Sequence, residues 1–263
     1  SDAAIRFGVR EAIVRKKQLT LLHVVAPVIA TWPVIPVAMG ITEWHVMNAK
    51  TVLEGAARTA HAAAGNDTVS AVRTETRHEA VATALVMASR EATMTVIGSR
   101  RIGVVRRVLE GSVSGHLIRH GHGAIGVIHD DSDQTTVDST RPVLLGIDGS
   151  PASEAATAFA FDEASRREVD LVALHAWSDT GVGTILGIDW PGLEAEGREV
   201  LSERLAGWRE RYPDVTVRQQ VIIDQPARRL IAASRDAQLV VVGSRGRGGF
   251  SELLLGSVGA KVV

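Results

Sequence analysis

Gly243 and Gly246 are followed after nine residues by Gly256 and Ser257, with Gly248 and Gly249 between them. Glycines so spaced let a backbone approach a phosphate that a side chain would hold off, and they permit the positive φ of tight loops. The second Gly-Ser opens a predicted helix, so the N–H groups of Gly256, Ser257 and Val258 lie where unpaired donors and the helix dipole favour an anion. Arg245 and Arg247 add cations to the same loop. The pattern reads as a phosphate site, and the alternative is a flexible turn at Gly246, Gly248 and Gly249. Asp148 follows an apolar run at 143–147 and is expected at the carboxyl end of a strand, where open parallel sheets bind ligands. A carboxylate there accepts hydrogen bonds from both ribose hydroxyls, and it equally serves as a helix N-cap or turn former.

His116, His120 and His122 have a spacing that a helix can present to a metal, since positions i and i+4 share a face. No carboxylate or Cys accompanies them, and histidines at the end of a helix also suit its dipole. His23 and His175 read as packed residues rather than catalysts. The chain contains no Cys, which rules out disulfides, Cys-ligated zinc, iron–sulfur clusters and thiol catalysis. No Ser-His-Asp order, HExxH helix or SGGxDS pyrophosphatase loop is present, so no catalytic residue and no metal site is expected.

With 45% hydrophobic and 22% charged residues over 263 positions, the chain is globular and long enough for two domains. Lys and Arg number 29 against 30 Asp and Glu, and aromatic residues make up 4%, so neither a cationic field nor a stacking surface for nucleic acid is available. Residues 21–41 are apolar for nearly their whole length, but Pro27, Pro33 and Pro36 would break a spanning helix. That segment is expected to be a buried strand running into an apolar loop. The first residues given do not show the basic, apolar and small-residue pattern of a secretion signal, so none is expected. A cytoplasmic location is expected, with no nucleic-acid or membrane partner.

The elements that hold these residues are readable because the chain repeats itself. Residues 89–100 (SREATMTVIGSR) overlay 234–245 (SRDAQLVVVGSR) at an offset of 145, with seven of twelve positions identical. Nearer the start His23 falls on His175 at an offset of 152, so the first copy carries seven additional residues, assigned to the stretch after His23. Two copies of one domain are expected, at 1–130 and 141–263, joined through the polar stretch 130–141. In the second copy strands are expected at 143–147, 169–175, 215–223 and 239–242. Helices are expected at 155–166, 194–211 and 227–237, with Trp190 and Pro191 in a loop. Residues 124–128 make a fifth strand in the first copy. Apolar strands alternating with helices indicate an α/β fold whose parallel sheet is covered on both faces. The first copy starts opposite Ser153 and the second stops before a fifth strand, so the first strand of domain 1 and the last strand of domain 2 are expected outside the sequence.

The motif G-x-x-G-x(9)-G-[ST] is met in full by Gly243, Gly246, Gly256 and Ser257. With the turn at 146–150, which includes Gly146 and Asp148, and the Gly111-Ser112-Val113-Ser114 helix start, the chain resembles the universal stress proteins, in the tandem form found in mycobacteria and their relatives. The resemblance covers both halves. It implies two Rossmann-like domains related to the adenine nucleotide alpha-hydrolases, each with a five-stranded parallel sheet of order 3-2-1-4-5. It implies ATP as the ligand, with or without Mg, and a backbone contact to adenine just after the second strand, at Ala176 in the second half and Val24 in the first. The first half matches at Gly98, Gly103, Gly111, Ser112 and Val113 but has Arg101 in place of the glycine at Gly246. Arg101 removes glycine's freedom. Arg100, Arg101, Arg106 and Arg107 make that loop cationic, which suits either phosphate or an ordinary solvated surface. The second half is expected to hold ATP more tightly.

The function implied is that of a regulatory ATP-binding protein in stress response or growth control. Nucleotide would alter its dimerisation, through the edge strand at 124–128, or its affinity for a protein partner. Two other readings stay open. A slow ATPase or phosphotransferase needs a base, whereas the motif loops offer Arg245, Arg247 and Ser257. An interaction module without nucleotide needs none of these residues.

Overall fold

The Ser1 hydroxyl accepts from the Ala4 amide and caps α1 (Asp2–Val14), with Asp2 in the first turn where the helix dipole favours an anion. The structure, a computed structural model, describes residues 1–27, 37–65, 71–99, 113–129, 138–150, 153–176, 190–222, 224–244 and 256–263. It divides into unit 1 (Ser1–Ser132) and unit 2 (Asp133–Val263). Among the described residues no helix is long and apolar enough to cross a membrane.

In unit 1, α1 is followed by β1 (Leu19–Val25), α2 (Val37–Ala64), β2 (Val72–His78), α3 (Val81–Glu91), β3 (Met94–Ser99), α4 (Val113–His120) and β4 (Ala124–His129). β1 pairs in parallel with β2, and β3 with β4. Val9 of α1, Leu21 of β1, and Leu53 and Ala60 of α2 form a buried cluster. Residues 37–41, expected as apolar loop, instead begin α2. The prolines of that stretch end at Pro36, so no ring interrupts a helix from position 37 onward.

Unit 2 runs β5 (Val143–Gly146), α5 (Glu154–Arg167), β6 (Leu171–Ala176), α6 (Trp190–Arg211), β7 (Val217–Ile222), α7 (Pro226–Ala233), a short 3-10 turn (Ser234–Asp236), β8 (Leu239–Val242) and α8 (Ser257–Val262). Its sheet is parallel, in the order β7-β6-β5-β8. Alternate side chains of β5 point to opposite faces. Val143, Leu145 and Ile147 join Phe161 and Ala164 of α5 and Leu201 and Leu205 of α6 in one cluster. Leu144 joins Leu174 and Leu230 in the other, against which Val258 and Val262 of α8 pack. Both faces are covered, which is why the central strand is apolar at every position. Phe161 is fully buried and stacks on Trp208 at 6.0 Å between ring centroids.

Among the described residues unit 2 has four strands, in the order 3-2-1-4, and unit 1 has two separate pairs; neither shows the full five-stranded sheet, of which one strand per domain is expected outside the sequence. In unit 2, β5 bridges β6 and β8; in unit 1 no described strand bridges β1 and β3. Trp190 and Pro191 open α6 rather than lie in a loop, because proline's missing N–H costs nothing in a first helical turn. The helix expected over 227–237 splits into α7 and the 3-10 turn.

The first helix of each unit carries the same ion pair, its carboxylate buried and its arginine partly buried. Arg15 Nε lies 3.2 Å from a Glu11 carboxylate oxygen, and Arg167 Nε lies 2.8 Å from one of Glu163. Arg167 also donates to Gln238, whose amide donates to the carbonyls of Ser139 and Arg141. This chain of bonds ties α5 to the segment that leads into β5.

Candidate functional site

Gly146 lies opposite both Leu174 of β6 and Val242 of β8. This register brings Asp148, Ala176 and Gly243 to the same carboxyl edge of three adjacent strands. Asp148 Oδ1 accepts from the Ser150 amide at 2.9 Å and the Ser150 hydroxyl at 2.7 Å. Gly149 supplies the turn with φ of +75°, a conformation that side chains disfavour. The Ser150 carbonyl accepts from the Ser153 amide at 3.1 Å and hydroxyl at 2.7 Å, which joins the turn to the start of α5. Asp148 is therefore a turn former and not the cap of α5, whose N-cap is Ser153.

Gly256 caps α8 and departs from its expected role. Its amide, expected to face phosphate, donates to the Ser244 carbonyl at 2.7 Å. The bond closes the neck of the glycine loop, and Ser257 and Val258 begin the helix beyond it. Gly256 has φ of −67°, so the backbone there does not require glycine. Gly146 is explained by packing: a Cβ on it would lie 2.9 Å from Leu230 Cδ1. Arg245, Gly246, Arg247, Gly248 and Gly249 lie outside the described residues.

In unit 1, Val24 stands on β1 opposite Arg77, Gly98 on β3 opposite Ile128, and Val113 opens α4. Arg101, Gly103, Gly111 and Ser112 lie outside the described residues. A Cβ on Gly98 would lie 2.6 Å from the Ser1 side chain, so this glycine is in contact with the cap of α1. β1 and β3 are not paired with each other, so strand pairing does not gather these residues on one edge as it does in unit 2.

Two residues not singled out as ligand-edge residues also stand near the carboxyl ends of unit 2. His175 Nδ1 lies 2.8 Å from the Ile147 carbonyl oxygen, and the ring is buried. The matched histidines at 23 and 175 were the sequence signal for it. Asp224 follows β7 and accepts from the Gln225 amide at 2.6 Å and from Arg228 at 2.8 Å, with Arg229 at 2.7 Å. The Gln225 amide first, then these two guanidinium groups, hold its carboxyl below the usual carboxylate range. The His116 and His120 rings lie 4.3 Å apart, and among the described residues no group of three or more candidate ligands is placed to hold a metal.

An open parallel sheet with helices on both faces and its turns gathered at the carboxyl edge is a Rossmann-like α/β domain. The universal stress protein family matches this chain twice, at residues 1–129 and 139–263. A universal stress protein of Mycolicibacterium smegmatis is 50% identical over 262 residues, spanning 100% of this chain and 89% of the relative. One from Mycobacterium tuberculosis H37Rv is 46% identical over 262 residues, spanning 100% of this chain and 88% of the relative. The chain belongs to the universal stress protein family and carries two tandem copies of its domain. A universal stress protein from Archaeoglobus fulgidus has the same fold, with a TM-score of 0.69 at 19% identity over 98% of this chain and 88% of that one. A protein of unknown function from Pseudomonas aeruginosa gives 0.54 at 16% identity, over 96% and 82% respectively.

Proposed function

We propose that unit 2 binds ATP at the carboxyl edge of its sheet and that the protein is a nucleotide-dependent regulator in the stress response rather than an enzyme. The observation that carries this reading is the meeting of Asp148, Gly243 and the Ser244–Gly256 neck at the ends of β5 and β8. Asp148 is the ribose ligand: its carboxylate stands just past the end of β5, at the carboxyl edge, and a carboxylate can accept from both ribose hydroxyls. The glycine loop between Gly243 and Gly256 holds the phosphates, with Arg245 and Arg247 as its cations and the amides of Ser257 and Val258 as donors. Ala176, at the end of β6, faces the base. Mg travels with the phosphates and takes no dedicated protein cage.

Regulation acts through assembly. β4 lies at the edge of its pair, and its Ala124–His129 backbone is a template for a second copy. A homodimer of that kind, or a protein partner, reads out whether nucleotide is bound.

The test is acid extraction of the purified full-length protein with nucleotide analysis, followed by calorimetric titration of the nucleotide-free protein with ATP. Co-purified adenine nucleotide, or saturable ATP binding at one or two sites per chain, is expected. Absence of both rejects the reading in favour of an interaction module without nucleotide.

A further inference from the structure

We propose that His175 is a positioning residue for this edge: its side chain anchors the end of β5 so that the chain leaves the sheet at Asp148 in one fixed direction. The assignment rests on the reading of the unit 2 edge as a nucleotide site. Gly146 is the last residue of β5 and lies opposite Leu174, so Ile147 lies opposite His175. The Ile147 amide still donates to the Leu174 carbonyl, at 3.1 Å. Were the ladder to continue, the next rung at the Ile147 carbonyl would come from the Ala176 amide. The imidazole of His175 reaches that carbonyl instead of leaving it to the ladder alone, at 2.8 Å. A carbonyl cannot donate, so Nδ1 carries the proton in this contact.

Ile147 is thus held in three ways: its amide and carbonyl by consecutive residues of β6, and its side chain within the α5–α6 core. The next residue is Asp148. From there the turn is fixed by Asp148 on Ser150 and by Ser150 on Ser153. A buried strand position favours an aliphatic side chain, because burying an imidazole is unfavourable unless it is hydrogen-bonded. His175 is 2% exposed, and its bond goes to the peptide carbonyl immediately before the proposed ribose ligand. The first copy has histidine at the matching register, His23 on β1 opposite Thr76.

The experiment compares His175→Leu and His175→Asn in the full chain, alone and combined with Asp148→Ala. An asparagine Nδ2 occupies the place of a histidine Nδ1, so His175→Asn keeps the donor while His175→Leu removes it. His175→Leu is expected to weaken ATP binding about tenfold, and His175→Asn to restore it to within about threefold of the parent. In the Asp148→Ala background His175→Leu is expected to weaken binding no further, since it acts through Asp148. Amide exchange at Ser150, whose N–H is held by Asp148, is expected to quicken in His175→Leu while that of Leu145 within β5 stays protected. Unchanged ATP affinity in folded His175→Leu, or an equal loss with and without Asp148, overturns the proposal. Failure of the parent protein to bind ATP refutes the nucleotide reading instead, and Ser150 exchange then decides the role of His175 alone.

Discussion

The amide of Gly256 donates to the carbonyl of Ser244 at 2.7 Å and so joins the two ends of the glycine loop. Ser244 and Gly256, which the sequence separates by eleven residues (245 to 255), thus lie side by side beyond the end of β8. One of the three amides offered by the motif is thereby used inside the protein, so in the proposed ATP site the phosphates would fall to Ser257, Val258 and the loop itself.

Gly256→Ala separates the two reasons for a glycine. With φ at −67° the backbone accepts alanine, and loss of glycine at an N-cap costs about 1 kcal/mol or less. A Cβ at the neck would still stand where, in the proposed site, the backbone approaches phosphate. The expected outcome is a nearly unchanged urea midpoint with ATP affinity reduced about tenfold, a loss of about 1.4 kcal/mol. A large loss of stability with intact binding would make Gly256 a packing residue.

Arg167→Leu is expected to destabilise unit 2 by about 3 kcal/mol, because it leaves the Glu163 carboxylate buried without its cation. Glu163 is fully buried, and Arg167 also connects it to Gln238 and the 139–141 segment. Replacing both members, as Glu163→Leu with Arg167→Leu, is expected to recover much of the loss. Chemical denaturation of the two variants measures this directly.

The first helix of each unit ends in the same way without a glycine. Lys16 and Glu168 have φ of 52° and 54°, and Lys17 and Val169 donate back to Ala12 and Ala164 in Schellman closures. Lys16→Gly and Glu168→Gly are each expected to stabilise the protein by about 0.5 to 1 kcal/mol, since glycine takes the left-handed conformation without strain. A lowered unfolding midpoint in either variant would show that side-chain contacts there outweigh the backbone.

Asp224 sets an acid limit on the start of α7. Its carboxyl is held below the ordinary value, first by the Gln225 amide. A lowered folded value means that its contribution is complete above the unfolded value of about 3.9 and is lost as pH falls through the folded one. The Gln225 amide resonance is expected to stay constant from neutrality down to about pH 4 and to shift below it.

Much of unit 2 is legible in the sequence because β5, β6 and β8 are largely apolar runs, whereas β7 is interrupted by Arg218, Gln219 and Gln220. Leu239–Val242 is the clearest case, with the same bounds in sequence and structure. The repeat carried the same elements into unit 1. Features fixed by backbone geometry were not legible. The left-handed turns at Lys16 and Glu168 lack the glycine or asparagine that signals them. The start of α6 at Trp190-Pro191 resembles a loop, because proline opens helices as readily as it ends them. At the edge, Asp148 and Gly243 were readable from strand ends, whereas the Gly256 bond and the His175 anchor depend on register and could not be read from spacing.

Asp148 combines a turn role with the proposed ribose role, and two substitutions separate them. Asp148→Asn keeps an oxygen that can accept from the Ser150 amide and hydroxyl, so the turn and its link to Ser153 are retained. Asp148→Ala removes both the acceptor and the charge. Hydrogen bonds to a charged group contribute about 1.5 to 3 kcal/mol, so Asp148→Ala is expected to weaken ATP binding about 10- to 150-fold and to lower stability as well. Asp148→Asn is expected to keep the stability of the parent and still bind ATP about tenfold more weakly, because the neutral amide is the poorer acceptor for ribose hydroxyls. The decisive comparison is calorimetric titration of both variants alongside their unfolding midpoints. Should Asp148→Asn bind ATP as tightly as the parent while Asp148→Ala does not, Asp148 acts through the turn alone and the ribose assignment fails.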